Sequence, residues 1–84
     1  MNRGELRSAI IEEIGNIAPE ADPGAIGEEE DLREALDLDS MDIFNLVVAL
    51  SQRLGIDIPD ADAAKLVTIG GAVDYLASRL GRQA

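Results

Sequence analysis

Residues 39–55 read DSMDIFNLVVALSQRLG. Asp39 is a good helix N-cap, and Asp42 follows three residues later, which makes a capping box with a shorter acid. Gly55 is a good C-terminal stop. Residues 40–54 between them carry two apolar stripes. Ile43, Leu46, Val47, Leu50 and Leu54 fall within about 100° of arc at 3.6 residues per turn, a normal core face. Met41, Phe44 and Val48 form a second stripe, centred roughly 130° away. A small bundle has too little core to cover both. The second stripe is therefore expected to flank the core and stay partly exposed near the helix start, with ordinary edge packing as the alternative.

Working outward, residues 3–17 read as a helix, because Leu6, Ile10, Ile14 and Ile17 recur on one face and Pro19 stops the pattern. Residues 18–38 form a long connection, punctuated by Pro19, Pro23, Gly24 and Gly27. A connection of that length in a compact domain is usually functional or disordered. Ile26, Leu32, Leu36 and Leu38 are its expected anchors to the core, which favours an ordered loop. Residues 60–66, opened by Pro59-Asp60, read as a short helix with Ala63 and Leu66 facing inward. Thr68 is placed to cap a last helix over 69–80, where Ile69, Val73, Leu76 and Leu80 share a face and Gly81 ends the pattern. The expectation is an all-α single domain over 1–84: a four-helix bundle of three principal helices, one short third helix and a long first loop.

Composition narrows the chemistry. The 84 residues include no cysteine and no histidine. A disulfide framework, a thiolate or His-ligated metal site and a Ser-His or Cys-His nucleophile pair are all excluded within this chain. Without His, no side chain has an ordinary pKa suited to general-base work at neutral pH, so no catalytic residue and no metal site are expected. The acidic clusters also fail the EF-hand spacing: Met41 offers no oxygen ligand, and no central Gly comes after Asp37 and Asp39.

The formal charge is −10. Nucleic-acid readers are basic and anionic membrane surfaces would repel this chain, so neither is an expected partner. Eleven of the seventeen acidic residues lie between Glu28 and Asp62, opposed there only by Arg33 and Arg53. That concentration weakens a reading of the acidity as plain solubility and suggests basic protein partners. No segment approaches the roughly 20 apolar residues of a membrane span, and the start of the chain is charged. A cytoplasmic monomer is the expectation.

Ser40 lies where the acidic loop meets a helix N-terminus, and free N–H groups at that end favour an anionic substituent. Asp-Ser pairs before helices are common as simple caps, so those residues alone carry little weight. The wider sequence adds to them. From Leu32 through Leu76 the chain resembles acyl carrier proteins. Leu36-Asp37-Leu38-Asp39-Ser40-Met41-Asp42 resembles the Asp-Ser-Leu attachment motif and the loop before it. Leu46-Val47-Val48-Ala49-Leu50 resembles the recognition helix. Gly55-Ile56-Asp57-Ile58-Pro59-Asp60 resembles the Ile-Pro-Asp start of the third helix, and Ala72-Val73-Asp74-Tyr75-Leu76 resembles the last helix.

The resemblance implies that Ser40, flanked by Asp39 and Met41, accepts 4'-phosphopantetheine from coenzyme A through a phosphopantetheinyl transferase. The thiol of that group would carry acyl intermediates as thioesters to acyl-transfer and acyl-processing enzymes of fatty-acid or related lipid or polyketide biosynthesis. By position, Leu50, Ile58, Ala63, Leu66, Ala72 and Leu76 would line the acyl pocket, or be simply core. Asp37, Met41, Asp42, Phe44, Val48 and Asp60 would face partners. Two departures stand out. The family usually has Gly where Asp37 stands, and its recognition helix carries glutamates where Asn45, Ser51, Gln52 and Arg53 stand here. The second departure points to a specialised carrier. Peptidyl, aryl or D-alanyl carriers, and an unmodified acidic interaction module, remain as alternatives.

Overall fold

The computed structural model describes residues 2–20 and 22–81. Three long helices dominate them: α1 (Arg3–Ile17), α3 (Ser40–Leu54) and α4 (Ile69–Gly81), with a one-turn helix α2 (Leu32–Ala35) between the first two. No strand occurs among the described residues, so the fold is the expected all-α bundle.

Each long helix begins on a side-chain cap. Asn2 accepts the Glu5 N–H at 2.8 Å, and the Glu5 carboxylate accepts the Asn2 N–H in return. The Thr68 hydroxyl accepts the Gly71 N–H at 3.0 Å at the start of α4. At the end of α3, Gly55 takes the left-handed conformation (φ 68°), which costs a residue without a Cβ nothing. α1 buries Leu6, Ala9, Ile10 and Ile14 and packs on both α3 and α4. Leu46, Leu50, Leu66, Ile69 and Leu76 close the core with them, and an aliphatic core of this kind packs without polar atoms to satisfy.

Residues 60–66, expected as a short helix, are wound as a 3₁₀ segment (Asp60–Leu66) that bridges α3 and α4. Pro59 supplies no side-chain cap, and only Leu66 of the segment is fully buried. The longer rise of a 3₁₀ turn lets seven residues span that distance.

The first connection is an ordered loop, held by Ile26, Leu32 and Leu38 in the core. Two backbone bonds stitch it to the far side of the bundle: Leu32 N–H to the Val67 carbonyl at 2.7 Å, and Gly70 N–H to the Glu28 carbonyl at 2.9 Å. The spacing of apolar residues does not reveal α2 inside this loop. Asp31 caps it, accepting the Arg33 N–H at 2.9 Å.

Candidate functional site

Ser40 is the first residue of α3, and its side chain is exposed. The local sequence puts it there. Asp39 Oδ1 accepts the Asp42 N–H at 2.9 Å, and the Asp42 carboxylate accepts the Asp39 N–H at 3.3 Å. This box satisfies the third amide of the helix and leaves those of Ser40 and Met41 without a partner among the described residues. A serine hydroxyl beside two open N–H groups at the positive end of a 15-residue helix suits a phosphate ester.

The approach to Ser40 is set by one unusual backbone angle. Asp37 has φ 56°, left-handed for a residue with a Cβ. Asp tolerates that region better than most side chains. The turn it makes carries the chain from α2 into α3, and Leu38 N–H closes on the Arg33 carbonyl at 3.1 Å.

An apolar groove of about 280 Å³ opens at Ser40. One wall is α3, through Ile43, Phe44 and Val47. The other is the 3₁₀ segment, through Asp60, Ala63 and Ala64, together with Val67 just beyond it. Arg33 of α2 stands at the same groove. A larger depression of about 740 Å³ lies under the end of α1, between Ile17, Ile26 and Leu36, and shares no lining residue with the groove at Ser40.

Of the six residues expected to line an acyl pocket, Ala63 alone borders the groove. Leu50, Ile58, Leu66, Ala72 and Leu76 are sealed in the core instead. An aliphatic core with nothing inserted in it closes on itself, so the open space lies one layer further out, between α3 and Ala63–Ala64. Ala64 and Val67 carry no site signal in the sequence, because their meeting with Ser40 is a long-range contact. Ile43 and Val47 read only as the core face of α3, and Arg33 sits in α2, which the apolar spacing does not reveal.

The residues expected to face partners lie around the same end. Met41 is 64% exposed, Phe44 48% and Val48 36%, so the second stripe of α3 is uncovered. Asp37, Asp39 and Asp60 are exposed, and Asp42 is half-buried under its cap bond. Asn45 and Gln52 give α3 a neutral outer face. Arg53 is turned away to α1, pairing with Glu12 and Glu13 at 3.3 and 3.1 Å.

Arg33 holds the Asp31 carboxylate on both oxygens, Nε to Oδ1 at 3.1 Å and Nη2 to Oδ2 at 2.7 Å. Those hydrogen bonds hold the Asp31 carboxyl below the usual aspartate range. In the 3₁₀ segment, Asp62 is lowered first by the hydrogen bond from Tyr75. Burial, then that same bond, pushes the Tyr75 phenol up. Among the described residues no group of three or more acidic side chains is placed to hold a metal ion. No described helix is long and apolar enough to cross a membrane.

Comparison with known proteins identifies the family. Residues 5–76 match the profile of the family described as phosphopantetheine attachment site. Acyl carrier proteins of Campylobacter concisus and Campylobacter curvus are 36% and 33% identical over 78 residues, covering 93% of this chain and 94% of each relative. The solved structure of the acyl carrier protein from Enterococcus faecalis superposes with a TM-score of 0.78 at 29% identity, covering 93% of this chain and 98% of that one. The chain belongs to the acyl carrier protein family, whose prosthetic group is covalently attached 4'-phosphopantetheine.

Proposed function

We propose that Ser40 is the attachment residue and that the chain carries acyl intermediates without itself catalysing their conversion. The observation that carries this reading is the exposed Ser40 hydroxyl at the first turn of α3, at the mouth of an apolar groove. In the loading step the Ser40 oxygen bonds to the pantetheine-bearing phosphorus of coenzyme A. The pyrophosphate bond breaks, adenosine 3',5'-bisphosphate leaves, and a phosphopantetheinyl transferase takes the hydroxyl proton. The attached group supplies a terminal thiol that holds the acyl chain as a thioester. Ile43, Phe44, Val47, Ala63 and Val67 shelter the first part of a bound acyl chain from water, and longer chains reach Leu50, Ile58, Leu66, Ala72 and Leu76 as the core parts.

Intact mass tests the attachment. The apo protein, coenzyme A, magnesium and a broad-specificity transferase should yield one added phosphopantetheine. No addition, or an addition that survives Ser40→Ala, overturns the reading.

The partners in this proposal are acyl-transfer and acyl-processing enzymes of fatty-acid or related lipid or polyketide biosynthesis. Asn45 and Gln52 leave α3 little charge, so enzymes that read acidic residues there bind poorly, and dedicated partners seat on Met41, Phe44 and Val48 between Asp37, Asp42 and Asp60. A general fatty-acid ketosynthase should turn over the acyl form slowly, and full-rate turnover sinks the specialised role.

A further inference from the structure

Four carboxylates stand near Ser40: Asp37 in the preceding turn, Asp39 and Asp42 in the cap, and Asp60 across the groove. A phosphodiester on Ser40 adds a further negative charge among them. Two open amides at the helix start offset part of that repulsion. Among the described residues the groove has one cation in its lining, Arg33.

Its side chain is not spent on its ion pair. Asp31 takes Nε and one Nη2 hydrogen in a two-pronged bond. A guanidinium has five N–H donors. The two on Nη1 and the second on Nη2 have no partner among the described residues. About half of the side chain remains exposed. The pair with Asp31 also fixes the plane of the guanidinium, so its free donors are presented and not free to wander. The Leu38–Arg33 backbone bond fixes the distance between α2 and the start of α3.

We propose that Arg33 holds the phosphodiester of the prosthetic arm at the mouth of the groove, with Asp31 as the residue that aims it. This rests on Ser40 as the attachment residue. Arg33 is a positioning residue: it touches the phosphate and turns the arm toward Phe44 and Ala63, and it takes no part in loading or acyl transfer. The free guanidinium donors satisfy phosphate oxygens that the surrounding carboxylates would otherwise repel.

The test uses the full-length holo protein, with loading first verified by mass. The readout is transverse relaxation of the phosphodiester in 31P NMR. In the wild type the phosphorus relaxes largely with the protein body, with the docked arm favoured about two- to fivefold, as for an exposed ion pair. In Arg33→Gln it relaxes as a freely moving arm. Added salt releases the arm in the wild type and changes little in Arg33→Gln. Arg33→Lys keeps some salt dependence but docks less, because an ammonium lacks the fork that Asp31 aligns. Arg53→Gln removes the same charge from the far end of α3 and should leave the signal unchanged.

Circular dichroism of the apo variants checks that each is folded, and Arg33→Lys supplies the comparison should Arg33→Gln lose its helix. Equal relaxation in the wild type and Arg33→Gln, or an equal effect of Arg53→Gln, overturns the role of Arg33 while leaving Ser40 standing. Absence of any loaded mass in the wild type overturns both.

Discussion

The Tyr75 hydroxyl donates to Asp62 Oδ2 at 2.6 Å and so fastens α4 to the 3₁₀ wall of the groove. Arg79 extends the link, giving Nη1 to the Tyr75 oxygen at 2.8 Å and Nη2 to the Asp57 carbonyl. Lys65 and Arg79 both lie near the Tyr75 ring, 5.8 and 5.7 Å from its centre. Tyr75→Phe keeps the ring and removes the bond. It should lower stability by about 0.5–1.5 kcal/mol, read as a lower urea midpoint with an unchanged slope. An unaltered midpoint would show that the bond contributes nothing net.

The same pair gives a pH dependence. Asp31 and Asp62 have folded pKa values below their ordinary ones, held down chiefly by Arg33 and Tyr75. Their contribution is fully present above the unfolded aspartate value of about 3.9 and is lost as pH falls through the lower folded value. Tyr75 has the opposite sign. Its folded pKa is raised, chiefly by burial, so its contribution holds below about pH 10 and disappears as pH climbs through the folded value. Asp62→Asn should flatten the acid limb of a stability-versus-pH curve. An acid limb as steep as the wild type's would assign it to other carboxylates.

Asp39 both starts α3 and sets Ser40 in its first turn. Asp39→Ala should cost about 1 kcal/mol and slow loading of Ser40 by a transferase, while Asp39→Asn keeps an acceptor and most of the stability. Denaturation and a timed mass assay on the three proteins separate the cap from the charge.

Two backbone positions are constrained by space and by angle. A Cβ on Gly71 would sit 2.9 Å from the Lys65 carbonyl and 2.7 Å from the Thr68 hydroxyl. Gly71→Ala should therefore destabilise by about 1–3 kcal/mol despite its better helix propensity. At Asp37, with φ 56°, Asp37→Val should lose about 1–2 kcal/mol and Asp37→Gly little or nothing. Thermal midpoints rank the four proteins, and a Gly71→Ala protein that matches or exceeds the wild type would contradict the steric argument.

Salt should raise the thermal midpoint. The chain carries a formal charge of −10, so screening relieves more repulsion than the exposed ion pairs lose. A gain of about 1 kcal/mol corresponds to roughly 4–8 °C for a domain of this size. A midpoint that falls with added sodium chloride would mean that the ion pairs dominate.

What could be read from the sequence was local. The two stripes of α3, its Asp39–Asp42 box and its Gly55 stop all depend on residues within a few positions of each other. The second stripe needed only the observation that a small core cannot cover two faces. The groove is another matter, because Ser40 and Ala63 meet only after the first loop and the 3₁₀ segment have both been placed. Leu50, Leu66 and Leu76 looked equally good as lining and as core, and spacing cannot tell a sealed apolar face from one that borders a gap. Arg33 was hidden for another reason, since apolar spacing does not reveal α2, although Asp31 ahead of it is the side-chain cap of that turn. The usual Gly at position 37 was a readable hint of the left-handed turn that Asp37 makes.

The bond from Leu32 N–H to the Val67 carbonyl joins Arg33 of α2 to the wall that carries Ala63. Loop and wall then travel as one plate, and α3 is the counter-jaw. On the proposed carrier reading, a bulky cargo spreads the plate from the body of α3, while the Leu38–Arg33 bond keeps Arg33 at the Ser40 end of the opening. The Leu32 amide belongs to the rivet within the plate, and its hydrogen-exchange protection should survive loading even as the amides lining the jaw lose theirs.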